Sequence, residues 1–263
     1  MRTARYSEIS RKMRGADLVI HVIDARAPHL TRSPRLESMA EDRGIPLILA
    51  LNKVDLVPED VVRGWLLRLR SEGTPVAPIS ATGRLGTLRL RRLILRTAGR
   101  RPCRVLVVGY PKVGKSSLVN VLKGRHSAST SPVPGSPGYT RHFQLYRGRS
   151  GIYLVDSPGI LPPEGGPLEM VVRGASPESL RNPVTPALEL LRLAYRVEPE
   201  LTEEYVGEPG EPSTDSLASL ALRRGAIFRS TGEPNLAEAA RMVIRDYHRG
   251  RLRAYFRPEW LSP

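Results

Sequence analysis

Residues Arg104–Ser117 read RVLVVGYPKVGKSS, and their types and spacing suit one kind of chemistry, the gripping of a polyphosphate. Gly109 and Gly114 allow a tight turn through Tyr110, Pro111, Lys112 and Val113 that aims successive backbone N–H groups at phosphate oxygens. Lys115 is placed to reach the β and γ phosphates and the Ser116 hydroxyl to ligate Mg²⁺. With Ser117 they open a helix whose positive dipole end faces the same anion. The flanks supply the context that the motif needs. Leu106, Val107 and Val108 read as a buried strand, and Leu118, Val119, Val121 and Leu122 recur at helical spacing. A surface glycine turn would need neither. Such a loop implies a nucleoside triphosphate with Mg²⁺ and leaves the base unnamed.

Asn52-Lys53-Val54-Asp55 supplies the base, because it directly follows the apolar run Pro46–Leu51, which reads as a buried parallel-type strand. An Asp carboxylate offers two acceptors to guanine N1–H and its exocyclic amine, where adenine presents an unprotonated N1 and a C–H. Asp55 is therefore the expected base selector. Asn52 is expected to hold the loop and the N7 edge, with the stem of Lys53 along the nucleotide. One strand and helix later come Ser80-Ala81-Thr82, a loop whose backbone N–H suits guanine O6. Beyond the phosphate loop, residues 125–140 are rich in Ser, Pro and Gly and contain PGYT, Pro137–Thr140. This segment reads as a switch, with the Thr140 hydroxyl on Mg²⁺ and its N–H on the γ phosphate. A predicted strand pair, 142–146 and 151–155, then delivers Asp156-Ser157-Pro158-Gly159. Asp156 is expected to hold Mg²⁺ through water, and the Gly159 N–H to sense the γ phosphate.

The predicted elements that position these residues alternate between helix and strand: a helix at 5–14, the strand Leu18–Asp24, helices at 35–41, 59–69 and 85–97, and the strand at 75–79. The predicted class is α/β, a mostly parallel sheet with helices on both faces. His21, inside the first strand, reads as a hydrogen-bonded core histidine. The turn Asp24–Pro28 (DARAP) carries no assigned role. Pro162, Pro163, Gly165, Gly166 and Pro167 read as a linker, giving a nucleotide-binding domain at 1–165 and a helical domain at 166–263. In the second, helices are expected at 186–195, 214–223 and 236–247. The last is expected to bury Leu236, Ala240, Val243 and Tyr247 and to turn Arg241, Arg245 and Arg249 outward.

Composition bounds the partners. The chain has 263 residues, 40% of them hydrophobic, with no apolar run of membrane-spanning length, and Met1–Arg14 lacks the apolar core of a signal peptide. No membrane partner and a cytoplasmic location are expected. The single cysteine, Cys103, excludes an intramolecular disulfide and a thiolate metal cluster within this sequence. A formal charge of +15 favours a polyanionic partner. Residues 1–100 carry 19 basic and 10 acidic side chains, 101–165 carry 9 and 2, and 166–263 carry 13 and 14, so the excess belongs to the nucleotide-binding part. Arg89, Arg92, Arg96 and Arg100 form a stripe at helical spacing, and Arg241–Arg257 holds six arginines suited to RNA phosphates; a solvated face is the plain alternative for each.

Five motifs in these contexts indicate a GTPase fold, in an order permuted from that of Ras-like proteins, with the cut after the second switch: NKVD and SAT precede GYPKVGKS, PGYT and DSPG. The chain thereby resembles the circularly permuted GTPases of the YlqF/YawG type, over residues 15–160 and including DARAP and TRSPRLE. Gly232–Leu252 resembles the closing helical element of that family, and the absence of a His-containing opening motif favours the archaeal or eukaryotic-like branch. The resemblance implies binding of GTP and GDP with Mg²⁺ and a switch in ribosome assembly, with rRNA or a ribosomal subunit as partner. GTP-dependent tRNA or other RNA processing, or a GTP-binding scaffold with little turnover, are the alternatives. It also implies that the helical domain is tethered to the second switch. Many relatives carry Asn at the position of Lys112, where potassium-activated GTPases hold K⁺. Lys112 is therefore expected to act as a built-in cation, with turnover insensitive to K⁺. Ile160 stands where Ras-like GTPases carry a water-orienting glutamine, which implies slow hydrolysis until a partner stimulates it, unless Arg141 or His142 substitutes.

Overall fold

The computed structural model describes residues 6–123, 144–159 and 165–261. The PGYT switch with Thr140, the candidates Arg141 and His142, and Ile160 lie outside the described residues. The chain divides into two compact units, one formed within residues 1–161 together with those from 257 onward, the other within 162–256.

The first unit runs α1 (Tyr6–Met13), β1 (Leu18–Asp24), α2 (Pro28–Thr31), α3 (Pro34–Glu41), β2 (Leu47–Asn52), α4 (Glu59–Ser71), β3 (Val76–Pro78), α5 (Thr87–Ala98), β4 (Cys103–Val108), α6 (Lys115–Lys123), β5 (Gln144–Arg147) and β6 (Ile152–Asp156). Six strands form one sheet in the order β3-β2-β1-β4-β6-β5, parallel except for the β5–β6 pair at one edge. Strands covered on both faces must be apolar nearly throughout, and LVIHVID is buried at every position. Its residues alternate between layers. Leu18, Ile20 and Val22 join Leu90 and Ile94 of α5 and Leu118, Val119 and Leu122 of α6 on one face. Val19 joins Ile9 and Met13 of α1 and Leu36 and Ala40 of α3 on the other. His21 is buried with Nδ1 3.2 Å from Glu37 Oε1, as its place in an apolar strand requires.

The second unit contains α7 (Pro167–Val172), α8 (Val184–Val197), α9 (Pro199–Val206), α10 (Thr214–Arg223) and α11 (Leu236–Arg249). Three differences from the sequence expectations have physical causes. Pro167 is not linker but opens α7, where its fixed φ suits the first helical turn and Glu169 caps the Gly166 N–H. Residues Glu198–Asp215, an acidic stretch without Lys or Arg in which no helix is expected before 214, contain α9, which buries Thr202 and Val206 and stops at left-handed Gly207. Finally, residues 257–261 do not belong with the helical part. Arg68 of α4 donates to the Leu261 carbonyl at 3.2 Å, Arg257 pairs with Asp60 at 3.4 Å, and Pro258 lies so close to Gly64 that a Cβ there would stand 2.7 Å from its Cγ.

Candidate functional site

The motif residues gather at the carboxyl ends of β1, β2, β4 and β6, where open α/β sheets build their ligand crevice. Gly109 (φ 142°), Lys112 (φ 62°) and Gly114 (φ 101°) bend the backbone between β4 and α6 into the left-handed region at three points, as a nest of inward N–H groups requires. Packing closes the loop as well. A Cβ on Gly109 would lie 2.5 Å from the Val22 carbonyl oxygen of β1, and one on Gly114 2.1 Å from Asn52 Nδ2. Tyr110, Pro111 and Val113 are buried beneath the turn, while Lys112 and Ser117 are half-exposed.

Lys115 is buried, and its ammonium donates to the Tyr110 carbonyl at 2.7 Å. Burial lowers its pKa to about 8, against the attraction of Asp156. Ser116 Oγ donates to Asp156 Oδ2 at 2.9 Å, so the two side chains expected to share Mg²⁺ are already adjacent. Both are hard oxygen donors. One carboxylate, one hydroxyl and substrate phosphates make a donor set of the kind that Mg²⁺ takes. Gly159 closes this side: a Cβ there would stand 2.7 Å from Pro111 Cγ and 2.9 Å from its Cα. Only a glycine lets the DSPG backbone touch the phosphate loop.

Asn52 joins the base-reading side to the phosphate side. It is buried at the end of β2, its Nδ2 donating to the Val113 carbonyl at 2.8 Å and its Oδ1 accepting from the Ala81 N–H at 3.0 Å. The loop-holding part of its expected role is thus filled on both sides, and the second Nδ2 hydrogen is the donor that its expected contact with N7 would use. Within the loop expected to meet guanine O6, the Ala81 N–H is the one that donates to Asn52. Ser80 holds its own turn by accepting from the Gly83 N–H at 3.0 Å. Asp55 sits exposed in a short 3₁₀ turn, Val54–Leu56, that begins after left-handed Lys53 (φ 67°).

Residues 14–164 match the family described as RsgA GTPase. The chain belongs to that family. An uncharacterized GTP-binding protein of Methanocaldococcus jannaschii is 35% identical over 243 residues, covering 91% of this chain and 63% of the relative. Nucleolar GTP-binding protein 2 of Neurospora crassa is 31% identical, covering 98% of this chain and 41% of its own length. The chain thus spans about two-fifths to three-fifths of the curated relatives it matches. Among solved structures, GNP-bound YlqF from T. maritima aligns with a TM-score of 0.61 over 96% of this chain and 97% of that one, at 23% identity, and shares its fold. The architecture of this RsgA-family member is accordingly a circularly permuted P-loop GTPase fold, with the base-reading loop of β2 preceding the phosphate loop of β4.

Sequence reasoning overlooked two site residues. Asp24 and Arg26, from the DARAP turn, are buried at the end of β1, and Asp24 receives the Lys53 ammonium at 2.7 Å. The available signal was a pair of opposite charges closing a strand that is otherwise apolar but for His21, where burial of a charge without a partner is costly.

Proposed function

We propose that this chain binds GTP with Mg²⁺ and hydrolyses it to GDP, acting as a switch on ribosomal RNA or a ribosomal subunit. The single observation that carries the nucleotide reading is the double engagement of Asn52. One buried amide ties NKVD to Val113 of the phosphate loop and to Ala81 of the SAT loop. Base selection and phosphate binding thereby share one rigid frame.

In this reading Asp55 accepts from guanine N1–H and the exocyclic amine, Ser80 and Ala81 close the loop over the base, and the stem of Lys53 supports the nucleoside. Gly109 to Gly114 present N–H groups to the phosphates, and Ser116 and Asp156 hold Mg²⁺, with Thr140 as its switch ligand. When bound by these residues, Mg²⁺ would supply neutralisation of the phosphate charge. Water attacks the γ phosphorus and the bond to the β-bridging oxygen breaks. Lys115 stabilises the charge that develops on that oxygen. Lys112 adds a cation at the rim, and Gly159 reports the γ phosphate to the second switch. The ribosomal part of the proposal rests on the family resemblance and on the exposed arginines of α5.

Fluorescent mant-GDP and xanthine diphosphate titrations on wild type and Asp55→Asn test the nucleotide reading. Wild type should prefer GDP. The variant should lose at least about tenfold in GDP affinity and gain in xanthine affinity, because one paired carboxylate hydrogen bond is worth about 1.5–3 kcal/mol. An unchanged GDP affinity would remove Asp55 from the site.

A further inference from the structure

The carboxyl end of β1 lies between the two halves of the site, since β2 carries the base-reading loop, β4 the phosphate loop, and β1 is the strand between them. A nucleotide spanning both must cross this strand end with its sugar. What stands there is a buried charge cluster. Arg26 clamps Asp24 with two side-chain hydrogen bonds, Nε to Oδ1 at 3.0 Å and Nη2 to Oδ2 at 2.8 Å, and the Arg26 N–H adds a third to Oδ1 at 3.0 Å. Lys53 Nζ completes the set on Oδ2 at 2.7 Å. Thr31 of α2 fixes the turn, accepting from the Asp24 N–H at 2.9 Å and donating to the Ala27 carbonyl at 2.8 Å. Asp24 and Asn52 are register partners, and the Ala25 N–H donates to the Asn52 carbonyl at 2.8 Å.

This arrangement draws the Lys53 side chain from the end of β2 over the end of β1, in the direction of the phosphate loop. A buried ion pair is weak evidence for stability, because desolvation offsets most of its attraction; its stronger use is to fix one geometry. The cluster also holds two cations to one anion. That excess suits a site for a polyphosphate ester.

We propose that Asp24 and Arg26 are positioning residues for nucleotide retention, holding the Lys53 stem as a floor under the sugar. The inference rests on the guanine-nucleotide reading above and extends it to the DARAP turn. Arg26 orients Asp24, Asp24 holds the ammonium, and the methylenes between Cα and Nζ form the floor. Base selection stays with Asp55.

Mant-GDP release, followed by stopped flow for wild type, Asp24→Asn, Lys53→Met and the double variant, tests this. Each single variant should release mant-GDP about tenfold faster. The double variant should be within about twofold of Lys53→Met, because Asp24 acts through Lys53 and coupled residues are non-additive. The ratio of GDP to xanthine diphosphate affinity should stay within about twofold of wild type in all three variants. Additive effects, or a shifted base preference, overturn the inference. Should Asp24→Asn fail to fold, Lys53→Met decides alone, since it leaves the Asp24–Arg26 pair closed: release at the wild-type rate overturns the floor. A wild-type protein that binds no mant-GDP overturns the guanine-nucleotide reading itself, and this inference with it.

Discussion

Lys115 sits where burial and chemistry pull in opposite directions. A polyphosphate calls for a charged ammonium, yet burial brings the group down to about 8 from an ordinary 10.5. Lys53 is brought down to about 8 in the same way, with Asp24 opposing the burial. Two consequences of opposite sign follow from linkage. Between about 8 and 10.5 the unfolded chain holds more protons than the folded one, so the stability of the nucleotide-free protein should rise with pH across that window. Nucleotide binding needs the Lys115 proton back, so GDP affinity should fall above pH 8, by up to about tenfold per unit. Titration calorimetry at pH 7, 8 and 9 in buffers of different ionisation heat checks both proton uptake and affinity. Affinity that stays flat to pH 9, or a slope that survives in Lys115→Met, would remove this lysine from phosphate binding. Neighbouring Lys112 shows how backbone geometry bears on a chemical reading. Its φ of 62° is a region that Asn tolerates better than Lys, so the Asn common at this position in relatives has a conformational reason beside any ionic one.

At the level of elements, two arginine-bearing helices look equivalent in sequence and differ in the fold. Arg89, Arg92 and Arg96 on α5 and Arg100 just beyond its end are all exposed, and of the four only Arg100 has an acidic partner among the described residues, Asp17 at 3.4 Å. The other three present an uncompensated stripe opposite the buried Leu90 and Ile94. On α11 Ala240, Val243 and Tyr247 are buried as expected, whereas Leu236, at the first helical position, is only half-buried. Arg241 and Arg245, however, are only half-exposed and turn to Glu238, and Arg245 reaches Glu178 as well, leaving Arg249 exposed. Farther on, Arg251 lies 3.8 Å from Asp246 and Arg253 4.0 Å from Glu198. Helical periodicity indicates which side of a helix faces out. Glu238, on α11 itself, is a partner that helical spacing already offers to Arg241, whereas the approach of Glu178 to Arg245 from a separate turn is not contained in that periodicity. The missed α9 is a different case, because Pro199 at its start and Gly207 past its end are ordinary boundary signals, obscured only by acidic composition. The contrast predicts that RNA affinity resides on α5. Arg89→Glu, Arg92→Glu and Arg96→Glu together should weaken binding to ribosomal particles and flatten its salt dependence while leaving GDP affinity unchanged. Arg241→Glu with Arg245→Glu should instead lower the thermal midpoint, because like charges would then face Glu238 and Glu178. Particle binding lost only through the α11 pair would place the RNA surface there.

Across the whole molecule, motif order was the most legible feature, because NKVD after one strand and GYPKVGKS after a later one state the connectivity directly. The end of the chain was not legible in the same way. That 257–261 return to α4 depends on pairwise contacts, Arg257 with Asp60 and Arg68 with a backbone carbonyl, to which no local pattern points. Connectivity nevertheless has a mechanical reading. The chain enters the helical unit soon after DSPG and leaves it for the first unit again at 257, so the helical unit is attached at both ends, one of them beside the second switch. Under the proposed function, loss of the γ phosphate would be felt at that attachment, and GTP hydrolysis should be coupled to binding of a ribosomal particle. Ile160 offers no group to orient the attacking water, so the isolated chain should hydrolyse GTP slowly, at roughly the 10⁻⁴ to 10⁻² s⁻¹ of unstimulated switch GTPases, and ribosomal subunits should accelerate it by about 10³-fold or more. Single-turnover assays with and without subunits measure this, and sedimentation in a GTP analogue against GDP measures the matching association. The Arg89, Arg92 and Arg96 reversal should abolish the acceleration and leave the basal rate intact, since those residues lie outside the nucleotide site. A fast basal rate would mean that the chain supplies its own water-orienting group, and equal sedimentation in both nucleotides would disconnect the switch from the ribosome.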